Sequence, residues 1–242
     1  MRIVFFDIES TNLQANFGSV LCLGYKVYGQ KAVHVPSIKD HNGVCECCSR
    51  INNVANDKSL LKEMVKALSD ADVWVTWYGS RFDVPFINSR LAFHKLPPLP
   101  YMPHIDLWRT ARNHYKLHSN RLASVQAFLE LPDEKTPLTG PDWMGARTGN
   151  QKGLKYVVKH CKQDVLVLEQ AYERMLPLIK SHPSRRLADG RPDTCPRCGH
   201  DVLHRKGTYV TATRRYQRWQ CQGCGGFMKD SKPTDIDHTM TL

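Results

Sequence analysis

Four acidic residues at the borders of apolar segments are the clearest candidates for chemistry in this sequence. Asp7 and Glu9 end the apolar segment RIVFFDIES, two residues apart and therefore on one face of a strand. Asp83 lies in WYGSRFDVPF, at the start of a predicted helix, and Asp164 lies in HCKQDV, within a long predicted helix. Four carboxylates at one point repel one another unless hard cations lie between them. The set therefore predicts a site for two Mg²⁺ or Mn²⁺ ions, about 3.5–4 Å apart, which suits phosphoryl transfer.

Each of these carboxylates also has an ordinary structural interpretation. An Asp at a helix N-terminus is usually a cap, and a lone Asp within a helix is usually solvated. The set favours a site because all four acids border apolar segments that are expected to pack together. A fifth acid, Asp106 in HIDLWRTAR, is interpreted as the cap of a helix that starts at Leu107. We leave Asp106 out of the catalytic set.

Four cysteines in the last quarter of the chain have the spacing of a metal site. CPRC (Cys195, Cys198) and CQGC (Cys221, Cys224) are two Cys-x-x-Cys motifs, each followed by a glycine that allows a tight turn. The segment HRKGTYVTATRRYQRWQC, which lies between them and ends on Cys221, has the pattern of a β-hairpin. The spacing predicts a zinc ribbon, a small β module folded around one structural Zn²⁺ with four cysteine ligands. Disulfides are the alternative, and they are rare in cytosolic proteins.

The predicted hairpin of the ribbon is both basic and aromatic. Cations for phosphates and rings for stacking on bases suit single-stranded nucleic acid. A surface that docks onto a protein is the alternative, which the sequence leaves open. The candidate nucleic-acid-binding residues are Arg205, Lys206, Arg214, Arg215, Arg218, Tyr216 and Trp219.

A second group of cysteines lies in the first half of the chain. Cys45, Cys47 and Cys48 are close in sequence, and His41 lies nearby. Because Cys47 and Cys48 are adjacent, the group matches no zinc-knuckle spacing that we can defend from sequence, and its role stays open.

The first predicted elements that position these residues are strands. Residues 2–8 are predicted to form a strand at the centre of a sheet, because both of its faces are apolar. Two further strands, residues 19–29 and 31–36, are predicted to form a hairpin, and residues 73–77 form another buried strand.

Helices follow or separate these strands. Residues 59–71 and 83–94 are predicted helices, and Asp57 is among the candidate caps of the first. Residues 132–153, rich in Pro, Gly and Thr, are predicted to be a surface loop, and residues 153–179 a long helix. Strands first, then helices around another strand, indicate an α/β fold with a mixed sheet flanked by helices.

Three segments resemble the motifs of a known family. FDIES resembles the first motif, Asp-x-Glu, of the DEDD exonuclease superfamily, GSRFDVPF is similar to its second motif, and HCKQDV resembles its third. The motifs occur in the family's order, and the resemblance covers residues 1–179. It implies a ribonuclease H-like fold and 3′→5′ hydrolysis of nucleic acid by two metal ions. It also implies that the metal ligands are Asp7, Glu9, Asp83 and Asp164.

The chain departs from the family's pattern at two positions. The family often has Asn five residues before the second-motif Asp, where this chain has Tyr78. In the third motif the family carries either Tyr four residues before the Asp or His with one more residue of spacing. Here His160 lies four residues before Asp164, one helical turn away and on the same face. We include His160 as a candidate general base, and a surface histidine is the alternative.

Charge and composition limit the possible partners and the possible domain organisation. Lys and Arg outnumber Asp and Glu by 34 to 23, which favours a polyanionic partner, nucleic acid first. No apolar run approaches the roughly 20 residues of a membrane span, and the first residues lack the pattern of a signal peptide, so we expect a cytoplasmic protein without membrane contact. The predicted domains are a nuclease domain at 1–180, a linker at 181–193, the zinc ribbon at 194–230 and a loose tail at 231–242.

These expectations converge on a metal-dependent 3′→5′ exonuclease whose zinc ribbon grips the nucleic acid. DNA, single-stranded or as a recessed end, is the favoured substrate. A structure-selective endonuclease or an RNase on the same fold is the alternative within enzymes, since a fold does not fix a substrate. Two further alternatives belong to different functional classes. One is a nucleic-acid-binding protein with an inactive nuclease half, and the other is an accessory proofreading subunit that docks onto a polymerase or another replication protein.

Overall fold

The structure is a computed structural model that describes residues 1–132 and 139–237. The chain forms two compact units, residues 2–172 and Met1 together with residues 173–242. Part of the predicted surface loop (133–138) and part of the predicted loose tail (238–242) lie outside the described residues. The predicted domain limits at 180, 193 and 230 stay a prediction.

The larger unit is built on a four-stranded sheet. Its strands are β1 (Ile3–Ser10), β2 (Val20–Val27), β3 (Val73–Thr76) and β4 (His104–Asp106), in the spatial order β2-β1-β3-β4. β2 is antiparallel to β1, whereas β3 and β4 run parallel to it and to each other. The strand with the two carboxylates is therefore central in a mixed sheet, as the sequence predicts. Both of its faces are buried, from Ile3 to Phe6 without exception.

Helices flank this sheet and supply the other candidate residues. They are α1 (Ile38–Asn42), α2 (Lys58–Ser69), α3 (Asp83–Phe93), α4 (Leu107–His114), α5 (Leu122–Phe128), α6 (Gly140–Arg147) and α7 (Gln151–Met175). Among the described residues, none of the helices combines the length and the apolar character needed to cross a bilayer.

The long helix α7 packs closely on β2. A Cβ atom at Gly24 would lie only 2.9 Å from Cys161 Sγ and 2.9 Å from Val165 Cγ2, so a glycine is required where the helix passes over the strand. Val157, Cys161 and Val165 are fully buried along this face. The packing fixes the rotation of α7, and with it the direction of His160 and Asp164.

Two sequence predictions about secondary structure are wrong. The predicted strand at 31–36 forms no strand, and His34 makes only an isolated antiparallel bridge to Tyr25. The predicted loop at 132–153 contains α6, because the Thr139 hydroxyl accepts a hydrogen bond from the Asp142 amide and caps the helix. Proline and glycine made this segment look irregular, although a proline is well placed in a helix's first turn.

The smaller unit carries the second sheet. Strands β5 (Leu203–Val210), β6 (Arg214–Cys221) and β7 (Phe227–Lys229) are antiparallel neighbours in that order, and β8 (Asp235–Ile236) pairs with β6. β5 and β6 are the hairpin that the sequence predicts between the two Cys-x-x-Cys motifs. The helical segments before this sheet are a 3₁₀ turn, Leu176–Leu178, and α8, Arg185–Ala188.

Candidate active site

Strand β1 presents Asp7 and Glu9 on one face of the sheet. Both are half-buried, whereas the alternating residues Ile8 and Ser10 are buried. Glu9 is paired in register with Cys22 of β2, and the register between the two strands shifts immediately after it. The two carboxylates therefore lie near the point where regular pairing of β1 with β2 ends, which is where a site can open.

Asp83 is tied directly to this strand. It is the first residue of α3 and only 2% exposed, and its Oδ1 accepts a hydrogen bond from the Ile8 amide at 3.0 Å. The bond joins the start of α3 to the backbone between Asp7 and Glu9. Asp83 does not cap its own helix, because the N-cap of α3 is Phe82 and the helix has no side-chain cap hydrogen bond. Its carboxylate is bonded to β1 instead, which makes it a candidate third member of the group.

Asp106 shapes the loop that leads to Asp83. Its Oδ1 accepts hydrogen bonds from the Trp108 amide at 3.1 Å and the Tyr78 amide at 2.9 Å, and its Oδ2 accepts from the Ser80 amide at 3.2 Å. The bond to Trp108 is the helix cap that the sequence predicts. The other two hold Tyr78, whose φ of 67° is uncommon for a residue other than glycine. Asp106 thus positions the loop that leads to Asp83. Burial raises the pKa of Asp83, and the charge of Asp106 helps to raise it.

Helix α7 brings His160 and Asp164 to the same place. His160 Nε2 lies 3.8 Å from Glu9 Oε1 and 3.6 Å from Asp164 Oδ2. Next to it, Cys161 Sγ lies 3.8 Å from Asp7 Oδ2. His160 is 7% exposed, so it faces the sheet rather than the solvent as a surface histidine would.

Burial and nearby acids shift the pKa values of two of these carboxyl groups. Burial raises the pKa of Asp7 well above its ordinary value, and the charges of Asp83, Asp164 and Glu9 raise it further, in that order. Burial also raises the pKa of Asp83 to about 7, against the opposing effect of amide hydrogen bonds that include the one from Ile8. Such carboxyl groups favour protonation unless a cation neutralises them. Oxygen ligands of this kind fit Mg²⁺ or Mn²⁺.

We predict that this cluster makes the magnesium-free protein less stable as the pH rises. Folding raises the pKa of Asp83 from 3.8 to about 7, so the group contributes stability below about pH 4 that is lost as the pH rises through 7. The melting temperature in magnesium-free buffer should therefore fall between pH 5 and pH 8. Asp83→Asn should remove part of this fall, so that the variant gains several degrees over wild type at pH 8 but less at pH 5.

Thermal melts measure this effect. The buffer contains no chelator, because a chelator would also remove any zinc bound by the cysteines. Addition of Mg²⁺ at pH 8 should raise the melting temperature of wild type more than it raises that of Asp83→Asn. An ion that binds the folded state but not the unfolded state stabilises the fold. Parallel melting curves for the two proteins across this pH range would contradict the prediction.

One buried charge cluster was not predicted from the sequence. Asp57, interpreted there as a cap of α2, is fully buried, and its carboxylate accepts hydrogen bonds from Arg90 Nε and Nη2 at 2.9 Å each and from the Val20 amide at 2.8 Å. His94 Nε2 lies 2.6 Å from the same carboxylate. A signal was present, because Arg90 shares the buried face of α3 with Leu91 and a buried cation needs an acid. The cluster joins α2, α3 and β2.

The four cysteine sulfurs of the smaller unit come together as the spacing predicts. All lie within 4.8 Å of one another, with 3.8 Å between Cys195 and Cys224 and 3.5 Å between Cys198 and Cys221. A tetrahedral Zn²⁺ with Zn–S bonds of about 2.3 Å needs sulfurs about 3.8 Å apart. The donor set and its dimensions therefore fit one zinc ion.

We predict that losing this ion unfolds the smaller sheet alone. Cys221→Ser combined with Cys224→Ser should release about one zinc per chain, because a module of this size depends on its metal. Hydrogen exchange of the β5–β7 amides should become fast, whereas the amides of β1–β3 stay protected. Retained protection in β5–β7 after zinc loss would show that the sheet folds without metal.

The proposed nucleic-acid-binding residues lie on β5 and β6, and they differ in exposure: the cations are exposed, Trp219 is half-buried and Tyr216 is buried. The five cations are all exposed, and Arg205 lies over the ring of Trp219 at 5.4 Å. Tyr216, by contrast, is 6% exposed, and Lys229 Nζ lies 3.4 Å from its ring centroid. Its ring is covered, so we leave Tyr216 out of the proposed contact surface. Exposed Tyr209, 46% accessible, is the better placed ring on this hairpin.

Comparison with known proteins identifies the larger unit. A family model described as the RNase H superfamily matches residues 4–176. DNA polymerase III PolC-type of Ureaplasma parvum serovar 3 is 31% identical over an alignment of 134 residues. The match covers 50% of this chain and 9% of that protein.

A solved structure is similar in fold. The family B DNA polymerase of the hyperthermophilic archaeon Pyrobaculum calidifontis matches 88% of this chain and 31% of its own chain, with a TM-score of 0.56 and 13% identity. At that identity the match shows the fold alone. The chain thus spans a small part of either polymerase, and the predicted α/β fold of the ribonuclease H type is confirmed.

Proposed function

The chain belongs to the RNase H superfamily, and on that premise we propose that it is a metal-dependent 3′→5′ exonuclease that acts on nucleic acid, with DNA favoured. The proposal is supported by the contacts of the acids around the end of β1. Asp83 accepts a hydrogen bond from the Ile8 amide, between Asp7 and Glu9. His160 Nε2 lies near both Glu9 and Asp164. The raised pKa of Asp7, caused by burial and then by its acidic neighbours, makes sense in an enzyme that places divalent cations there.

We assign the metal-binding role to the four carboxylates. Asp7 and Glu9 contribute from β1, Asp83 from the start of α3 and Asp164 from α7. When bound, two divalent ions would supply a nucleophilic water at neutral pH and neutralise the charge on the reacting phosphate. The carboxylates are held in place by the sheet, by the Ile8 amide and by the packing of α7 on Gly24, which favours a fixed geometry.

His160 is the proposed general base. Its Nε2 faces Glu9 and Asp164 and can accept the proton of the attacking water while the water oxygen bonds to phosphorus. The bond from phosphorus to the 3′-oxygen then breaks, and the terminal nucleotide leaves as a 5′-monophosphate. The shortened strand keeps the 3′-oxygen, which takes up a proton from solvent and becomes a 3′-hydroxyl. The carboxylates on either side of the ring stabilise the imidazolium that forms.

The smaller unit is proposed to grip the nucleic acid. The exposed cations on its hairpin suit contacts to phosphates, and Trp219 and Tyr209 offer rings for bases. We predict that Arg214→Gln combined with Arg215→Gln raises KM and reduces the salt dependence of single-stranded DNA binding, by about 0.7 in log–log slope per lost phosphate contact. The value of kcat should change much less.

Binding titrations at several salt concentrations measure this prediction. Lys62→Gln, which removes an exposed cation from α2, is the matched control. An unchanged affinity and salt slope in the hairpin variant would instead favour the hairpin as a surface for docking onto a protein.

A second candidate function follows from the similarity to the DNA polymerase III PolC-type protein. The protein would then be an accessory proofreading subunit whose ribbon docks onto a polymerase. Both functions require the same hydrolytic site, so activity of the isolated protein does not separate them. Stimulation by a polymerase would favour the accessory role.

One assay tests the proposed activity. Single-stranded DNA and RNA, each labelled at the 5′ end, are incubated with Mg²⁺ or Mn²⁺, and the products are separated by length. A ladder that shortens from the 3′ end is expected, faster on DNA. A single internal cut would indicate a structure-selective endonuclease, and preference for RNA would indicate an RNase. No cleavage under either metal would overturn the proposal.

A further inference from the structure

Three cysteines at the tip of a hairpin in the larger unit take no part in the proposed active site. The chain reverses between Val44 and Ile51, which form an antiparallel bridge. The sulfurs of Cys45, Cys47 and Cys48 lie within 4.8 Å of one another, and all three are free thiols at least partly exposed to solvent. Thiolate sulfurs are soft donors of the kind that Zn²⁺ and other soft metal ions prefer.

The two metal-binding turns of the smaller unit give a standard for comparison. The carbonyl of Cys195 accepts a hydrogen bond from the Gly199 amide at 2.9 Å, and the Cys195 amide donates to the His200 carbonyl at 2.7 Å. The second turn repeats both bonds four and five residues after Cys221, at 3.0 Å each. Both turns therefore share one backbone hydrogen-bond pattern around a Cys-x-x-Cys sequence.

The hairpin tip has the same pattern. The carbonyl of Cys45 accepts from the Ser49 amide at 2.9 Å, and the Cys45 amide donates to the Arg50 carbonyl at 2.7 Å. Ser49 has a φ of 54°, in the left-handed region that Gly199 and Gly225 occupy in the other two turns. A serine rarely adopts this conformation, so the turn keeps the geometry at some cost.

The shared backbone hydrogen bonds align Cys45 with Cys195 and Cys221, the first cysteines of the other two turns. By this comparison Cys45 and Cys48 occupy the two ligand positions of a Cys-x-x-Cys knuckle. The adjacent cysteine that obscured the spacing in the sequence supplies a third sulfur.

We propose that Cys45, Cys47 and Cys48 bind one Zn²⁺, with the fourth position left to water or another external ligand. Thiolates select Zn²⁺ among the common divalent ions of the cell. The sulfurs of Cys45 and Cys47 are 2.8 Å apart, shorter than the roughly 3.8 Å edge of a tetrahedral zinc–sulfur site. Rotation of the exposed Cys47 side chain opens this distance without moving the backbone turn.

The site would stabilise the start of the helix that carries His160 and Asp164. The hairpin contacts the residues before and at the beginning of α7: the Ile51 amide donates to the Gly149 carbonyl at 2.8 Å, and Gln151 Nε2 donates to the Ser49 carbonyl at 2.8 Å. A Cβ atom at Gly149 would lie 2.9 Å from the Ile51 carbonyl oxygen, so the two segments are in close backbone contact. An ion that fixes the tip of the hairpin therefore fixes this contact.

Zinc content measured by mass spectrometry tests the proposal without reference to activity. Wild type is expected to carry two zinc ions per chain, and Cys45→Ser combined with Cys48→Ser should carry one. Cys221→Ser combined with Cys224→Ser should also carry one, and the fourfold variant none. Glu46→Gln, an exposed substitution in the same turn, is the matched control and should keep two.

Hydrogen exchange gives an independent reading. In the Cys45/Cys48 variant the Ile51 amide should exchange faster, whereas the amides of β5–β7 stay as in wild type. A single zinc in wild type that the Cys45/Cys48 variant retains would overturn the proposal. So would a disulfide between Cys45 and Cys47 in freshly purified protein, and copper in place of zinc would overturn the choice of ion.

Discussion

Asp7→Asn is expected to lower kcat for nucleic-acid hydrolysis by about 10³-fold or more. Metal ions supply several kcal/mol of charge stabilisation to such a reaction, and each 1.4 kcal/mol corresponds to about a factor of ten. The amide has the shape of the carboxylate but not its charge, so the ion would be lost or displaced. Binding of nucleic acid should be retained, because the substitution removes a negative charge from the site.

The stability of this variant separates a lost ion from a misfolded protein. Burial and the neighbouring acids raise the pKa of Asp7 well above its usual range, which means that its ionised form destabilises the folded state. In magnesium-free buffer at pH 8 the variant should therefore melt no lower than wild type. An inactive protein that melts as high as wild type has lost a ligand and not its fold.

The same loss of activity is expected for the other three acids. Glu9→Gln, Asp83→Asn and Asp164→Asn each remove one charge from the cluster, whereas Asp70→Asn removes an exposed charge at the end of α2 and serves as the control. Single-turnover cleavage and fluorescence anisotropy measure hydrolysis and binding separately. Cleavage within a factor of about ten of wild type in any two of the four variants would rule out the assigned ligand set, since the loss of several kcal/mol would be absent.

The arrangement of the acids was predictable wherever a local rule determines it. Asp7 and Glu9 share a face because side chains alternate along a strand, and Asp164 lies one turn after His160 because of the helical period. The apolar run from Ile3 to Phe6 predicted that the strand would be central, and the sheet order confirms it.

The buried cluster around Asp57 was missed because it depends on contacts between distant segments. Asp57 has the position of a helix cap, but Arg90, 33 residues later, takes its carboxylate, and no local pattern determines which partner wins. The role of the turn at Cys45 was left open from the sequence for another reason. The extra sulfur of Cys47 concealed the Cys-x-x-Cys spacing, and only the backbone hydrogen bonds, with Ser49 in a glycine-like conformation, reveal the turn.

His160→Ala is expected to lower kcat by about 10²–10⁴-fold with little change in KM, the usual scale for loss of acid–base help. His160 Nε2 lies 3.6 Å from Asp164 and 3.8 Å from Glu9, slightly beyond hydrogen-bond range. Catalytic contacts are often long in the absence of substrate and shorten when it binds. The ring is therefore near enough to reach a water held between the carboxylates.

Alanine also removes a buried ring, so a structural effect must be separated from a chemical one. His160 is 7% exposed, and a cavity beside Glu9 could move α7. His160→Tyr is the informative companion, because it fills the space and the related enzymes with this spacing carry tyrosine, as the family resemblance implies. It should recover part of the activity, whereas Lys159→Ala, an exposed substitution on the same helix, should leave kcat unchanged.

The two kinetic constants distinguish a base from a packing residue. Loss of a base lowers kcat and leaves KM nearly unchanged, whereas a displaced α7 would alter KM as well. A kcat of His160→Ala within a factor of about three of wild type would be well below the acid–base scale. His160 would then not accept the proton of the attacking water, and the carboxylate cluster with its ions would be enough for catalysis.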